Sequence, residues 1–320
     1  MLSRVADSVY WMNRYLERAE NYARFLDVNF NLSLELPPHV SEQWKPLIMT
    51  TGDWNLYESM YDKVDKNKAI YFLGFEENNP NSIFNSVSRA RENARAIRPE
   101  ITKEVWEQIN YIYYLVKDGQ NQKQWEKSDP RAFFAEVKIG CQLLHGIFDS
   151  TISRTDGWHF GKIGQLIERA DKTSRILDVK YHMLLPAPDA VGSPFDLIQW
   201  AALLKSVSAY DMYRKKYGKL TPSSISEFLI LDKIFPRAML RCLSHAEQSL
   251  HKITGGGEGF SNKAEKMIGM LKSKLEYEDI NEIFNSGLHE YLDHFQQRLN
   301  EVSIAIFDTF FSIDGLSSRK

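Results

Sequence analysis

Apolar side chains recur every three to four residues along nearly the whole chain, which is the spacing of one buried face of an α-helix. Alternating polar and apolar runs, typical of strands, do not occur in the sequence. The pattern therefore predicts an all-α protein. In its first part it predicts helices over about 4–34, 41–61, 69–75, 82–95, 103–117, 130–153 and 160–184, with a loop over 118–124. Pro37 and Pro186 are expected to lie where two of these helices end.

One helical stretch occurs twice. Residues 16–28 and 167–179 share seven identical residues at an offset of 151 positions. The recurring charged positions are Glu17 and Glu168, Arg18 and Arg169, Arg24 and Arg175, and Asp27 and Asp178, with Glu20 replaced by Asp171.

On a helical wheel these charged residues form a stripe with apolar residues on both sides, whereas an ordinary surface helix has one apolar and one polar face. Two interpretations are open: a solvated face with local pairs such as Glu20 with Arg24, or a partly buried ion network between helices. A solvated face does not explain the apolar far flank, nor Glu17 three residues before Glu20, where like charges repel. We therefore favour the network, in which each buried charge needs a partner.

The second half of the chain repeats other segments of the first. The matches, at offsets of 156 and 159 positions, are Gln43-Trp44 with Gln199-Trp200, Phe72-Leu73 with Phe228-Leu229, and Ile147-Phe148-Asp149 with Ile306-Phe307-Asp308. They predict an internally duplicated helical bundle of two pseudo-twofold-related halves, each of about six helices. The repeat units are 1–154 and 155–320, packed into one compact domain. Each motif helix opens its half, so the two are expected to meet near the axis.

Composition excludes a few classes of function. The 320 residues are 43% hydrophobic and 26% charged, as in ordinary globular proteins. The net charge of −2 gives no electrostatic argument for nucleic-acid or membrane partners. Two isolated cysteines, Cys141 and Cys242, fit neither a disulfide framework nor a zinc finger. The sequence contains no long apolar run, and we expect a cytoplasmic location.

A second polar pattern lies on the helix predicted over 82–95. Its candidate residues are Arg91, Glu92, Asn93 and Arg95. Either they form a basic solvated face or they bind an anion or carboxylate, and the sequence leaves both open. No recognisable nucleophile, nucleotide-binding loop or metal motif occurs in the sequence, so we predict no cofactor and no metal.

The N-terminal residues resemble a known bacterial family. Segments 1–8, 10–12, 14–21 and 23–24, which include Arg14 and the Glu17-Arg18 pair, are similar to the alpha-E family, an all-helical domain named for its Glu-Arg motif. Residues 90–95, 167–171 and 235–237 resemble it as well, and the last segment adds Arg237 to the candidate residues. The resemblance covers essentially the whole chain. It departs at Asn13, where glycine is expected, and at Ala238, where serine is expected.

The resemblance implies little about activity, because family members have no established one. They are typically encoded beside, or fused to, a circularly permuted ATP-grasp protein and a transglutaminase-like protein. This context implies a system that makes or modifies peptides by amide ligation. Our leading hypothesis is therefore a non-catalytic partner or peptide-binding component of such a system.

The rival hypothesis is an enzyme of the same pathway. Its acids would be the carboxylates of the repeated motif, which are expected to raise one another's pKa in a partly dry site. The arginines Arg18, Arg24, Arg169 and Arg175 would bind a carboxylate or phosphate substrate. Carboxylates on facing bundle helices also hold divalent metals, although no Glu-x-x-His pair accompanies them here.

Overall fold

A computed structural model describes residues 1–35, 44–123, 129–182, 193–256 and 259–312, and every regular element in these ranges is helical. The all-α prediction is thereby confirmed for them. The α-helices are α1 (Ser3–Glu35), α2 (Trp44–Thr51), α3 (Trp54–Met60), α4 (Lys66–Gly74), α5 (Ile83–Ala96), α6 (Lys103–Gln122), α7 (Pro130–Thr151), α8 (Asp156–His182), α9 (Pro194–Ser206), α10 (Tyr210–Lys216), α11 (Pro222–Ile230), α12 (Met239–Thr254), α13 (Lys263–Glu276), α14 (Ile280–Ser286) and α15 (Leu288–Ile306). A 3-10 turn, Arg98–Glu100, precedes α6, and a π-helical turn, Phe307–Phe311, follows α15.

Four predicted helix bounds are wrong. The helix predicted over 69–75 begins at Lys66, where Asp65 caps its first turn. The single helix predicted over 41–61 is two helices, because Gly52 adopts a left-handed conformation (φ +81°) that ends α2. The predicted loop at 118–122 is helical, and Gly119 there lets the ring of Phe133 lie directly against α6. The second motif helix begins at Asp156 rather than near 160. The expected helix ends at Pro37 and Pro186 lie outside the described residues.

Side-chain caps explain several of the helix starts. The hydroxyl of Ser82 accepts a hydrogen bond from the backbone N–H of Asn85 at the start of α5. Thr102 does the same for Val105 at the start of α6. Each such cap satisfies a backbone donor that the helix itself leaves unpaired, and contributes about 1 kcal/mol.

The two motif helices, α1 and α8, pack against each other at the centre of the fold. α5 and α7 pack on α1, and α12 and α15 pack on α8. One continuous cluster of buried apolar side chains includes residues of all six helices, among them Leu16 and Leu26 of α1 and Ile167 and Leu177 of α8. The charged stripes of α1 and α8 are therefore enclosed by other helices. In the described part of the chain, no helix combines the length and the apolar run that crossing a bilayer requires.

Candidate functional site

Two glycines of α8 allow it to approach α1 closely. A Cβ atom at Gly164 would lie 2.3 Å from the backbone oxygen of Tyr10, and one at Gly161 would lie 2.7 Å from the side-chain nitrogen of Asn13. No side chain larger than a hydrogen atom fits at that distance. The crossing at Gly164 lies one helical turn before Glu168, so it brings the two copies of the repeated motif face to face.

The two motifs exchange their Glu-Arg pairs across this interface. Arg18 of α1 donates to both oxygens of Glu168 of α8, from Nε at 2.6 Å and from Nη2 at 3.1 Å. Arg169 of α8 donates in turn to both oxygens of Glu17 of α1, at 2.9 Å and 2.7 Å. Such bidentate pairs fix both distance and orientation. The two helices are thus joined by two reciprocal pairs, and both glutamate side chains are fully buried.

A third arginine, from outside the repeated motif, pairs with both glutamates of the α1 motif. Arg237 lies in the turn before α12 and donates to Oε1 of Glu17 at 3.0 Å and to Oε1 of Glu20 at 2.7 Å. Arg24 donates to the same oxygen of Glu20 through Nε at 3.0 Å and Nη2 at 2.7 Å. Asn21 donates to Glu17 at 3.0 Å. Arg237, a candidate only through the family resemblance, thus belongs to the same ion-pair network as Glu17 and Glu20.

The acids of α8 are enclosed in the same way. Glu168 also accepts a hydrogen bond from Nε of Arg14 at 2.9 Å and lies 3.4 Å from the ammonium of Lys172. Asp171 pairs with Lys172 at 2.8 Å and with Nε of Arg175 at 3.0 Å. The comparison of the two motifs did not identify Lys172, because its counterpart in the first motif is an uncharged asparagine. Its position four residues after Glu168 was the available signal.

We call this assembly the Glu–Arg cluster. It consists of four carboxylates, Glu17, Glu20, Glu168 and Asp171, and seven cations, Arg14, Arg18, Arg24, Arg169, Lys172, Arg175 and Arg237. At neutral pH the cluster therefore has an excess of three positive charges.

The arginines keep the α1 carboxylates ionised. Burial by itself would raise the pKa of Glu17, but Arg169 and Arg237 outweigh burial and lower that pKa to about 2. For Glu20 too, burial acts upward, and Arg237 leads the interactions that lower its pKa well below the usual value. The expectation that neighbouring carboxylates raise one another's pKa is wrong here. The repulsion between Glu17 and Glu20 exists, but it is weaker than the attraction of the guanidinium groups.

The same balance holds in α8. Burial opposes ionisation of Glu168, and Arg18 is the strongest of the cations that lower its pKa well below the usual value. The pKa of Asp171 is lowered to about 2, because Arg175 and then Lys172 overcome the effect of burial. A carboxylate that stays ionised throughout the physiological range is a poor general acid.

The last acid of each motif lies outside the cluster. Asp27 pairs with Lys138 of α7 at 2.8 Å, and Asp178 pairs with Nδ1 of His289 of α15 at 2.7 Å. The side chains of Asp27 and Asp178 are 18% and 14% exposed. They tie each motif helix to a neighbouring helix of the bundle rather than to the other motif.

The candidate residues of α5 are not brought to the cluster either. Ala90 and Ala94 face the core, so the charged residues between them face outward. Arg91 stacks on the ring of Tyr113, with 4.6 Å between the guanidinium carbon and the ring centre. The remaining three are peripheral: Glu92 pairs with Arg95, and Asn93 donates to the backbone of α5 itself. Arg91, Glu92, Asn93 and Arg95 therefore lie outside the buried assembly of α1 and α8, and anion or carboxylate binding by them stays a prediction.

One histidine lies close enough to two glutamates of the cluster to bind a metal with them, and no sequence motif indicated this. Nδ1 of His145, from α7, lies 3.4 Å from Oε2 of Glu20 and 3.8 Å from Oε2 of Glu17. Ligand atoms of these three residues lie within 4.8 Å of one another, the spacing of a metal site. Oε2 of Glu20 and Nε2 of His145 are buried without a hydrogen-bond partner. However, a dication here would face the guanidinium groups of Arg24 and Arg237, which disfavour it.

The fold and the Glu–Arg cluster define a helical protein organised around its Glu-Arg motif. The family model Alpha-E, described as a predicted alpha-helical domain with a conserved ER motif, matches residues 1–311, and the chain belongs to this family. It is similar to the uncharacterized protein Mb2597 of Mycobacterium bovis (24% identical) and to the uncharacterized protein Rv2567 of Mycobacterium tuberculosis (23% identical). Each match covers 98% of this chain but 37% of the relative, so the chain spans little more than a third of their length. No solved structure matches it.

Proposed function

We propose that the chain is a binding component, without a reaction of its own, of a system that makes or modifies peptides. Its partner would be a circularly permuted ATP-grasp protein, a transglutaminase-like protein or both, and its further ligand the peptide product. The observation that carries the proposal is that every carboxylate of the Glu–Arg cluster is paired with at least two cations. Its four carboxylates are buried against cations, and their lowered pKa values suit them to holding helices together rather than to moving protons.

The lengths of the relatives support a role alongside a second protein. The mycobacterial relatives contain this chain's counterpart in about a third of their length. The remainder of each relative lies outside the match. We infer that the alpha-E chain acts together with a second protein, which binds it. The proposal puts the system in the cytoplasm, where ATP-dependent ligation has its ATP supply.

Co-purification tests this proposal. The full chain, tagged, is co-expressed with a circularly permuted ATP-grasp protein from the same organism, and the complex is measured by size-exclusion chromatography and calorimetry with and without ATP and Mg²⁺. We expect a stable complex at micromolar concentrations. An ATP-grasp protein from an unrelated pathway is the negative control. Absence of association in both nucleotide conditions would refute the role of the ATP-grasp protein.

A second candidate function is an enzyme of the same pathway that uses the clustered carboxylates and arginines with a divalent metal. The convergence of Glu17, Glu20 and His145 favours it. Elemental analysis of the purified protein and activity on amino acids and short peptides test it. A His145→Gln variant should lose bound metal, whereas His294→Gln, at an exposed histidine, should keep it. Full turnover by a Glu17→Gln, Glu168→Gln double variant would exclude catalysis by these acids.

We further propose that the bundle arose by internal duplication, with repeat units 1–154 and 155–320 related by a pseudo-twofold axis. The exchange of Glu-Arg pairs between the motifs supports this. So do the bounds of α3 and α4, which recur in α10 and α11 at an offset of 156 positions. A side-chain contact recurs at that offset too: the hydroxyl of Tyr57 donates to the backbone oxygen of Lys63, and that of Tyr213 to that of Lys219. Superposition of the two halves in an experimental structure, α1 on α8, tests the proposal.

A further inference from the structure

A groove of about 370 Å³ lies between α8 and α12, on the second half of the chain. This volume falls within the range of small-molecule pockets. Trp158, Lys162 and Arg169 line it from α8, spaced four and then seven positions apart. Arg241, His245 and Lys252 line it from α12 with the same spacing. Both spacings place the residues on one face of a helix, so the groove is formed by two facing stripes of side chains.

The lining of the groove is cationic. It contains five cations, Arg154, Lys162, Arg169, Arg241 and Lys252, together with two histidines, and no aspartate or glutamate. The chain as a whole has more acidic than basic residues, 42 against 40, so this lining departs from its composition. Like charges repel in a concave site, and they also raise the local concentration of an oppositely charged ligand.

Three of these cations have no acidic partner among the residues that the structure describes. Lys162 pairs with Asp149 at 3.0 Å, and Arg169 holds Glu17. Within the described residues, Arg154, Arg241 and Lys252 form no ion pair. The groove therefore has an uncompensated positive charge at three side chains.

Two residues that line the groove each have a buried ring nitrogen without a hydrogen-bond partner. Trp158 is only 8% exposed, and its indole nitrogen is buried without an acceptor. Nδ1 of the adjacent His159, which also lines the groove, is buried without a partner as well. Arg154 stacks on Trp158, with 4.5 Å between the guanidinium carbon and the ring centre.

We propose that this groove binds a small polyanion with at least two adjacent oxyanion groups. Arg154, Arg241 and Lys252 contact the oxyanions directly, and Lys162 and Arg169 provide the positive base of the groove. The shared chemistry is that of a phosphate chain or of a compound with several carboxylates. Because Arg169 also holds Glu17, the ligand is linked to the Glu–Arg cluster, and its binding reinforces the packing of α12 on α8. This inference does not depend on the partner proteins proposed above.

Calorimetric titration of the full chain tests the site. The probes are tripolyphosphate and citrate at about 0.15 M salt, where diffuse surface attraction is largely screened. Stronger binding of tripolyphosphate assigns a phosphate ligand, and stronger binding of citrate assigns a carboxylate ligand. If neither probe binds at millimolar concentrations, the proposal is refuted.

Matched double variants localise the binding. Arg241→Gln with Lys252→Gln removes one arginine and one lysine from the groove, and we expect the affinity to fall at least about tenfold. Arg214→Gln with Lys274→Gln removes the same charges from exposed positions elsewhere, and we expect it to leave the affinity within about twofold. An equal loss in both double variants would assign the binding to diffuse charge and overturn the proposal. Lys252→Gln alone, at an exposed side chain, repeats the test without risk to folding.

Discussion

Arg18 and Glu168 form a bidentate pair between α1 and α8, at 2.6 Å and 3.1 Å, and the same two motifs form the converse pair between Arg169 and Glu17. Neither pair lies within its own helix. Each motif supplies the acid for the other motif's arginine, so the two Glu-Arg dipeptides together hold α1 against α8. Separating the helices would break both bidentate pairs at once, which ties the cluster to the integrity of the bundle.

We predict that removing an acid from the cluster destabilises the protein more than removing an arginine. Glu168→Gln leaves Arg14, Arg18 and Lys172 without their shared counter-charge, and we expect a loss of about 3–5 kcal/mol in the free energy of unfolding. Arg14→Met leaves Glu168 paired with two cations, and we expect a loss below about 2 kcal/mol. Urea denaturation measures both.

The matched control is Glu92→Gln, the same substitution at a side chain that is 49% exposed, where we expect a change below about 1 kcal/mol. The cluster has three more cations than acids. The loss of an acid should therefore destabilise the protein more than the loss of an arginine. Equal losses for Glu168→Gln and Arg14→Met would show that this excess has no energetic effect.

The lowered pKa values predict a loss of stability in acid. An unfolded glutamate has a pKa near 4.5, and that of Glu17 in the fold is about 2. Because the folded pKa is the lower one, the stabilisation is complete above pH 4.5 and is lost as the pH falls towards 2. For Glu17 the difference corresponds to about 3 kcal/mol. Urea midpoints between pH 6 and pH 3 should fall steeply, and less steeply in Glu17→Gln. Identical slopes for the two proteins would contradict the role of Glu17.

Two glycine substitutions should have effects of opposite sign. Gly164→Ala places a methyl group 2.3 Å from the backbone of Tyr10, so α1 and α8 must move apart, and we expect a loss of about 3 kcal/mol or more. Gly146→Ala, on an open face of α7, meets no atom within 4 Å and should stabilise by about 0.5–1 kcal/mol through helix propensity. Thermal and urea melts compare them. A neutral Gly164→Ala would mean that the helices do not approach as closely as described.

Both cysteines should resist thiol reagents while the protein is folded. Burial raises the pKa of the Cys242 thiol to about 12 and that of Cys141 well above its usual value. The reactive thiolate is therefore scarce at pH 8, and both side chains are inaccessible. Labelling with a disulfide reagent at pH 8 should be slow in buffer and complete in denaturant. Rapid labelling of one thiol in buffer would reveal local opening of α7 or α12.

The sequence by itself determined the helical class, the helix that contains the first motif and the unusual placement of its charges. Periodicity is a local property: a stripe of apolar side chains every three to four residues specifies α1 whatever surrounds it. The apolar flanks on both sides of the charged stripe also indicated burial. The motif residues Glu17, Arg18, Glu168 and Arg169 could therefore be named without a structure.

Only the tertiary structure decided which charges are partners and what their pKa values are. The spacing within α1 suggested that Glu17 and Glu20 repel and raise one another's pKa. In the fold both pKa values are lowered, because arginines that are distant in sequence, above all Arg169 and Arg237, lie beside these acids. His145 likewise joins the site from α7 without any sequence signal. Coulombic energy depends on distances between atoms. Those distances are set by how closely α8 crosses α1 and by the turn before α12, which places Arg237 against the glutamates of α1. That information is absent from the local pattern and arises only when the helices pack.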